Sequence, residues 1–200
     1  MSERVVLFVD AQNVYHGARN AFFQSPGSHV EGQIDPSRMG QLISSRGPAG
    51  SIRVLHEVRI YTGRPESSKQ PRAYGAHMKQ CVAWERAGCL VIPRTLRYPF
   101  GWPQRPAEEK GIDVALAIDF VMGAVDGAYD IGVIFSTDTD LRPALEVVSA
   151  RFAGMRRAEV AAWRSPTANR RLSIPGRSIW CHFLDQADYS TVHDPSDYNM

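Results

Sequence analysis

A short apolar run near the start of the chain constrains the fold more than any other feature. Residues 4 to 9 read RVVLFV, and Asp10 follows directly. An apolar, β-branched run without alternation is typical of a strand that is buried on both faces of a sheet. Such a strand needs helices on both sides of its sheet, so this run favours an α/β fold.

Further strand-like runs alternate with helical segments along the rest of the chain. Helices are predicted at 13–23, 36–43, 69–87, 112–125 and 140–153, and strands at 52–61, 89–96, 131–136, 158–163 and 178–184. This alternation predicts βαβ units in a three-layer α/β domain with a mostly parallel central sheet. We place the domain at residues 1–184. The acidic tail at 185–200 has no Lys or Arg, so we expect loose surface structure or docking without a strand there.

The composition and the N-terminal residues indicate the class of protein, but the net charge does not indicate what the protein binds. Lys and Arg number 23 against 21 for Asp and Glu, giving a net charge of +2. The first residues lack the order of features of an export signal, and three aspartates interrupt the most apolar stretch, 111–128. We therefore expect a cytoplasmic protein without a membrane partner. The cysteines at 81, 89 and 181 lack CxxC spacing, which predicts buried reduced thiols rather than disulfides or a zinc site.

Carboxylates follow the predicted strands at the points where they end. Asp10 ends the first strand, Asp138 and Asp140 follow the strand at 131–136, and Asp113 begins the preceding helix. Open parallel sheets bind ligands at the carboxyl ends of their strands, where the strand order reverses. If the fourth strand lies beside the first, these carboxylates converge. Taken singly, each acid also suits a helix cap or a turn.

Carboxylates that converge repel one another, so the cluster implies a cation. Oxygen ligands alone favour Mg²⁺ or Mn²⁺ over zinc. Asp119 lies about 240° round its helix from Asp113, so the two do not share a face. We expect Asp119 to anchor the helix, or to orient a ligand through a hydrogen bond without binding the metal itself.

Several nucleotide and hydrolase folds are excluded by their missing motifs. The chain contains no GxGxxG after the first strand, no GxxxxGK[ST] and no GxSxG, which disfavours dinucleotide folds, P-loop NTPases and serine hydrolases. A phosphoaspartyl hydrolase would need a second Asp two residues after Asp10, and Gln12 stands there.

Three ordered motifs resemble the NYN domain family, in particular its LabA-like branch of the PIN-like nucleases. The resemblance covers roughly residues 4 to 163. In two of the motifs, Ala11 and Thr137 stand where the family usually has Gly. The motifs are Asp10 to Asn13, then Lys110-Gly111-Ile112-Asp113 continuing to Asp119, and the turn Ser136-Thr137-Asp138-Thr139-Asp140-Leu141.

The resemblance implies a metal-dependent ribonuclease that hydrolyses RNA phosphodiester bonds with Mg²⁺ or Mn²⁺. It implies that Asp10, Asp113 and Asp138 hold the metal directly or through water, that Asp140 joins them in catalysis, and that Asn13 and Ser136 support the site. One alternative is an RNA-binding or regulatory module with little or no turnover. A second is a Mg²⁺-dependent phosphatase or nucleotide hydrolase on the same sheet.

Positive charge is concentrated in patches that would suit single-stranded or structured RNA. Residues 151–177 hold seven arginines and one acid, and Arg72, Lys79 and Arg86 recur every seven residues on one helix. The loop at 98–110 carries three aromatics that suit base stacking, a lid or a contact in a homodimer. A solvated helix face is the alternative for the helical set. We expect RNA contacts from Arg72, Lys79, Arg97, Arg105, Arg164 and Arg170.

Overall fold

Parallel strands form the central sheet of the computed structural model, which describes residues 2–25, 27–48 and 50–200. Within these ranges the sheet has six strands in the order β3-β2-β1-β4-β5-β6, and every neighbouring pair is parallel. The predicted α/β class is confirmed, and the sheet is parallel throughout. The strands are β1 (Glu3–Asp10), β2 (Arg53–Arg64), β3 (Leu90–Thr95), β4 (Ile131–Phe135), β5 (Arg157–Trp163) and β6 (Cys181–Leu184).

The first strand lies at the centre of this sheet, as its composition requires. Val5 and Leu7 pack into the core on one face, and Val6 and Phe8 pack into the core on the other. β1 pairs with β2 on one side and with β4 on the other, so the strand order reverses between β1 and β4. The predicted neighbourhood of the first and fourth strands is therefore confirmed.

Helices cover both faces of the sheet. One face is covered by α1, α2, α3 and α6, and the other by α4 and α5. A short 3₁₀ turn, Thr139–Leu141, precedes α5. The helices are α1 (Ala11–Phe22), α2 (Pro36–Ser44), α3 (Pro71–Arg86), α4 (Ile112–Val125), α5 (Arg142–Arg151) and α6 (Gln186–Val192).

The acidic tail contains a helix, α6. Asp185 and Asp188 form a capping box, in which each side chain accepts a hydrogen bond from the other residue's backbone N–H. Tyr189 and Val192 are buried in the core on the α1 face. The segment therefore docks through an ordered helix, and the pair of acids three residues apart is the sequence signal for its start.

The outer face of α4 stays exposed although it is apolar. Val114, Ile118, Met122 and Val125 follow helical spacing and are each between 46% and 56% exposed. No helix of the described residues is long and apolar enough to cross a membrane.

The three cysteines are free thiols. Cys81 and Cys89 are buried and Cys181 is half-buried. Burial raises the pKa of each thiol to about 11. They are therefore protonated at neutral pH, as the sequence predicts for packing residues.

A buried ionic cluster lies around Glu159 on β5. The Arg53 guanidinium donates two hydrogen bonds to the Glu159 carboxylate, at 2.8 and 2.9 Å, and His182 Nε2 lies 2.8 Å from Glu159 Oε2. Burial alone would raise the pKa of Glu159, but the hydrogen bonds from His182 and Arg53 outweigh it and lower the pKa. All three side chains are at most 4% exposed, so the cluster has a structural role.

We expect Glu159→Gln to lower the free energy of unfolding by about 3 kcal/mol, because it leaves the buried Arg53 charge without its partner. Urea denaturation near neutral pH measures this loss. Glu66→Gln, which removes the exposed partner of Lys69, is the control and should cost less than about 1 kcal/mol.

The pH dependence of stability tests the same cluster. Because the folded-state pKa of Glu159 is lowered, its stabilising contribution is present above the unfolded pKa of about 4.3 and is lost as the pH falls through the folded pKa. The difference in stability between the wild type and Glu159→Gln should therefore shrink in acid. A difference that stays constant from neutral to acidic pH would contradict this account.

Candidate functional site

Carboxylates surround a pocket at the carboxyl ends of β1 and β4. The pocket has a volume of about 470 Å³, and we call it the acid pocket. Among the described residues no Lys or Arg lines it. Its lining residues are Asp10, Gln12, Ala107, Glu108, Glu109, Ile112, Asp113 and Asp138.

Asp10 occupies the end of β1 and also caps α1. Its Oδ1 accepts a hydrogen bond from Asn13 N at 3.1 Å, and its Oδ2 accepts one from Ser136 Oγ at 3.0 Å. Burial raises the pKa of Asp10, and the nearby charges of Asp138 and Asp113 raise it further, against the lowering effect of those two hydrogen bonds. The pocket therefore disfavours a negative charge on Asp10 when no cation is present.

The turn after β4 is fastened to α1 through Asn13. Asn13 Oδ1 accepts hydrogen bonds from Thr137 N at 3.0 Å and from Thr137 Oγ1 at 3.2 Å. Ser136 is buried, and its Oγ accepts a hydrogen bond from Asp138 N at 3.1 Å. Thr137 has no positive φ, as holds for every described non-glycine residue, so the turn does not need the family's usual glycine. Its hydroxyl adds a second bond to Asn13.

The loop before α4 and the first turn of that helix bring three more carboxylates to the pocket, those of Glu108, Glu109 and Asp113. Gly111 has a φ of 74°, a left-handed conformation that glycine adopts freely, and α4 begins directly after it. Asp113 therefore lies in the first turn of α4, where a negative charge is favourable.

Glu109 is a site residue that the sequence analysis missed. Its Oε1 accepts a hydrogen bond from Gly63 N at 2.8 Å, and a Cβ atom on residue 63 would collide with that oxygen. Burial and the charges of Asp10 and Asp113 raise the pKa of Glu109 to about 7, although the hydrogen bond from Gly63 lowers it. Its position beside the Lys110 to Asp113 motif was the available signal.

Four predicted site residues lie outside the pocket lining, namely Asn13 and Ser136, whose hydrogen bonds are described above, and Asp140 and Asp119. Asp140 is exposed, and its backbone N–H donates a hydrogen bond to Asp138 Oδ1 at 2.9 Å. Asp119 accepts a hydrogen bond from Tyr61 Oη at 2.8 Å, and it thereby ties α4 to β2. This geometry corresponds to an anchoring role for Asp119.

The donor set of the acid pocket contains only oxygen. That set suits Mg²⁺ or Mn²⁺, which bind carboxylates and water. Within the described ranges, no three His, Cys, Asp or Glu side chains are grouped so that they could hold a metal ion together. Mg²⁺ usually keeps several water ligands and binds one or two carboxylates directly, so this spacing is compatible with a largely hydrated cation.

Some of the arginines of 151–177 lie at the carboxyl ends of the parallel strands, and others lie at the amino ends. Arg164 follows the carboxyl end of β5, at the same edge as the acid pocket, and is exposed. Arg157 begins β5 at the opposite edge, where it forms an ion pair with Glu3 at 2.6 Å. Arg156 lies 3.8 Å from Asp130 at that edge. Only part of this positive charge therefore lies near the pocket.

The other basic residues predicted to contact RNA are exposed. Arg72 and Lys79 lie on α3, and the Lys79 ammonium donates a hydrogen bond to the Met200 carbonyl oxygen. Arg97 exchanges two backbone hydrogen bonds with Glu108, a residue of the acid pocket, which brings Arg97 close to it. Arg105 and Arg170 lie in exposed loops.

The aromatics of the loop at 98–110 have different environments. Tyr98 and Trp102 pack edge to face with 5.0 Å between ring centroids, and the Tyr98 hydroxyl bonds to Glu66 N and Gln70 Oε1. Phe100 is fully exposed. Of the three predicted stacking residues, only Phe100 presents its whole ring to solvent.

Comparisons with known proteins agree with this fold and this arrangement of motifs. A crystal structure of a protein of unknown function from Vibrio parahaemolyticus resembles the chain with a TM-score of 0.52 at 17% identity, over 80% of this chain and 81% of the other. The search of curated proteins gave no match. The sequence pattern of the NYN domain matches residues 4–170, which include the three motifs. The chain belongs to the NYN domain family.

Proposed function

We propose that this protein is a ribonuclease that hydrolyses RNA phosphodiester bonds with Mg²⁺ or Mn²⁺ at the acid pocket. The observation that carries the proposal is a pocket at the reversal of strand order whose charged lining residues are all carboxylates. NYN nucleases typically use a divalent metal. The three motifs support placement in the LabA-like branch as part of the same proposal.

The residues of the chain have distinct tasks in this reaction. Asp10, Asp113 and Asp138 would hold the cation directly or through water, while Asn13 and Ser136 keep Asp10 and Asp138 in place. A bound divalent cation supplies charge neutralisation at the phosphate and lowers the pKa of a water ligand. Exposed Asp140 lies next to the Asp138 turn, where it can accept a proton from incoming water.

The net reaction is a hydrolysis. A water oxygen forms a new bond to phosphorus, and the bond between phosphorus and the leaving ribose oxygen breaks. The water loses one proton to a carboxylate or to solvent, and the leaving oxygen takes up one proton. No redox step is involved.

One observation favours the second candidate, an RNA-binding or regulatory module with little turnover. No three metal-binding side chains of the described residues are grouped tightly enough to hold an ion together. A weakly held cation would leave RNA binding intact and hydrolysis slow. The cleavage experiment below separates the two candidates.

We expect purified protein to cleave labelled single-stranded RNA with Mg²⁺ or Mn²⁺ and to stop when a chelator is added. Asp10→Asn and Asp138→Asn should each reduce the rate by about a hundredfold or more, because each removes a charge that the cation needs. Asparagine keeps the capping hydrogen bonds of both positions, so folding should be preserved.

Asp126→Asn is the matched control for this experiment. Asp126 is exposed at the end of α4, away from the acid pocket, and its replacement should leave the rate unchanged. Cleavage that persists in both Asp10→Asn and Asp138→Asn would contradict the catalytic assignment. Tight RNA binding without cleavage under either metal would favour the binding module.

Thermal unfolding provides a readout that does not depend on activity. Because burial and like charges raise the pKa of Asp10, its ionised form destabilises the metal-free fold at neutral pH. Asp10→Asn should therefore be at least as stable as the wild type in chelator. Added Mg²⁺ should raise the melting temperature of the wild type and not that of the variant.

The position of each arginine along β5 predicts whether it binds RNA. Arg164 lies at the carboxyl end of the strand, near the acid pocket, and Arg157 lies at the opposite end. We expect Arg164→Gln to weaken RNA binding and to reduce the slope of log affinity against log salt by about 1. Arg157→Gln, at the opposite edge, is the control and should change neither quantity. Equal effects of the two variants in a filter-binding titration would show that the charge acts without regard to position.

A further inference from the structure

A second cavity lies directly beside the acid pocket. It has a volume of about 410 Å³ and lies between α1 and α3, above the carboxyl ends of β1 and β2. We call it the side cavity. Gln12 and Glu109 line both the acid pocket and the side cavity. A single nucleotide could therefore place its phosphate in one and its base in the other.

The walls of the side cavity are apolar. Val9 and Ile60 come from the sheet, Val14 from α1 and Trp84 from α3. All four are buried. Apolar walls favour the transfer of a flat aromatic ring from water into the cavity. Pockets for nucleobases combine such surfaces with a few hydrogen-bonding groups.

Several polar side chains of the side cavity carry no charge, among them Thr62, Gln33 and Gln80. His77 Nε2 lies 3.3 Å from Thr62 Oγ1, and burial, with the nearby Arg64 charge, lowers the pKa of His77 to about 4. Gln80 Nε2 donates a hydrogen bond to Gln33 Oε1 at 3.1 Å. Gln80 Oε1 accepts no hydrogen bond from any described residue, so it is available to a ligand.

The charges of the lining residues indicate which part of a nucleotide the side cavity accepts, the base or the phosphate. Among the described residues, no Lys or Arg lines the side cavity, and its one acid is Glu109, at the border with the acid pocket. A phosphate would find no Lys or Arg there to bind it. An uncharged heterocycle would find donors and acceptors on neutral side chains, which match the edge of a nucleobase.

We propose that the side cavity is a nucleobase subsite, which holds the base of the nucleotide whose phosphate lies in the acid pocket. This inference rests on the proposed function, since it names part of the same RNA substrate. The tail closes one side of the subsite, where Tyr198 and Asn199 line it. His29 Nε2 lies 2.7 Å from Asp197 Oδ1, and this contact ties the tail to the segment before α2.

Binding of small nucleotides tests the subsite. The full chain is titrated with the four nucleoside 5′-monophosphates and with ribose 5-phosphate in Mg²⁺, and heat release is measured. At least one nucleotide should bind about tenfold more tightly than ribose 5-phosphate, because stacking and edge contacts add to the phosphate contact. Equal binding of ribose 5-phosphate and all four nucleotides would overturn the inference.

A filled cavity is the matched test. Ala76→Phe places a ring in the side cavity, and it should abolish the preference for nucleotides over ribose 5-phosphate. Val82→Phe adds a ring at an exposed position of the same helix outside the cavity, and it should keep the preference. If Ala76→Phe does not fold, Ala73→Phe at the exposed rim replaces it.

RNA cleavage by the same variants separates the subsite from the proposed function. Nucleotide preference that is lost in Ala76→Phe, in a protein that cuts no RNA, supports the subsite and contradicts the ribonuclease. Cleavage with an unchanged KM in Ala76→Phe supports the ribonuclease and contradicts the subsite. A preference that survives in both cavity variants also contradicts it, because the base then binds elsewhere.

Discussion

The carboxylate of Asp10 joins three elements of the fold, and the geometry of the acid pocket depends on it. One oxygen accepts the capping hydrogen bond of α1, and the other accepts the hydroxyl of Ser136 after β4. The same Ser136 hydroxyl accepts a hydrogen bond from the backbone N–H of Asp138. A residue that ends the central strand thus fixes the start of one helix and the turn of the neighbouring strand. No Lys or Arg of the described residues lines the acid pocket beside it.

Much of this fold could be predicted from the sequence because it depends on local composition. The run at 4–9 indicates a strand buried on both faces, and the alternation of strands and helices indicates a parallel sheet. The convergence of Asp10 with Asp138 followed from the rule that links strand ends to ligand sites. These features need only residue type, spacing and the handedness of βαβ units.

Other features depend on contacts between distant parts of the chain. Glu109, in the loop before α4, belongs to the pocket because Gly63 on β2 lets its carboxylate approach the backbone. Arg157 is paired with Glu3, near the start of the sequence, at the end of β5 that lies away from the acid pocket. The side cavity needs α1, α3 and the tail together. The pattern of residues within one segment cannot predict contacts of this kind, because they join segments that are far apart in the sequence.

The apolar outer face of α4 has a consequence for how the protein behaves in solution. Apolar surfaces associate more strongly as excluded salts such as sulfate are added, whereas contacts between arginine and phosphate weaken as salt rises. Any association through Val114, Ile118 and Met122 and any binding of RNA therefore respond to ionic strength in opposite directions. A salt titration followed by light scattering distinguishes contacts made by this helix from those made by the arginines at the edge of the sheet.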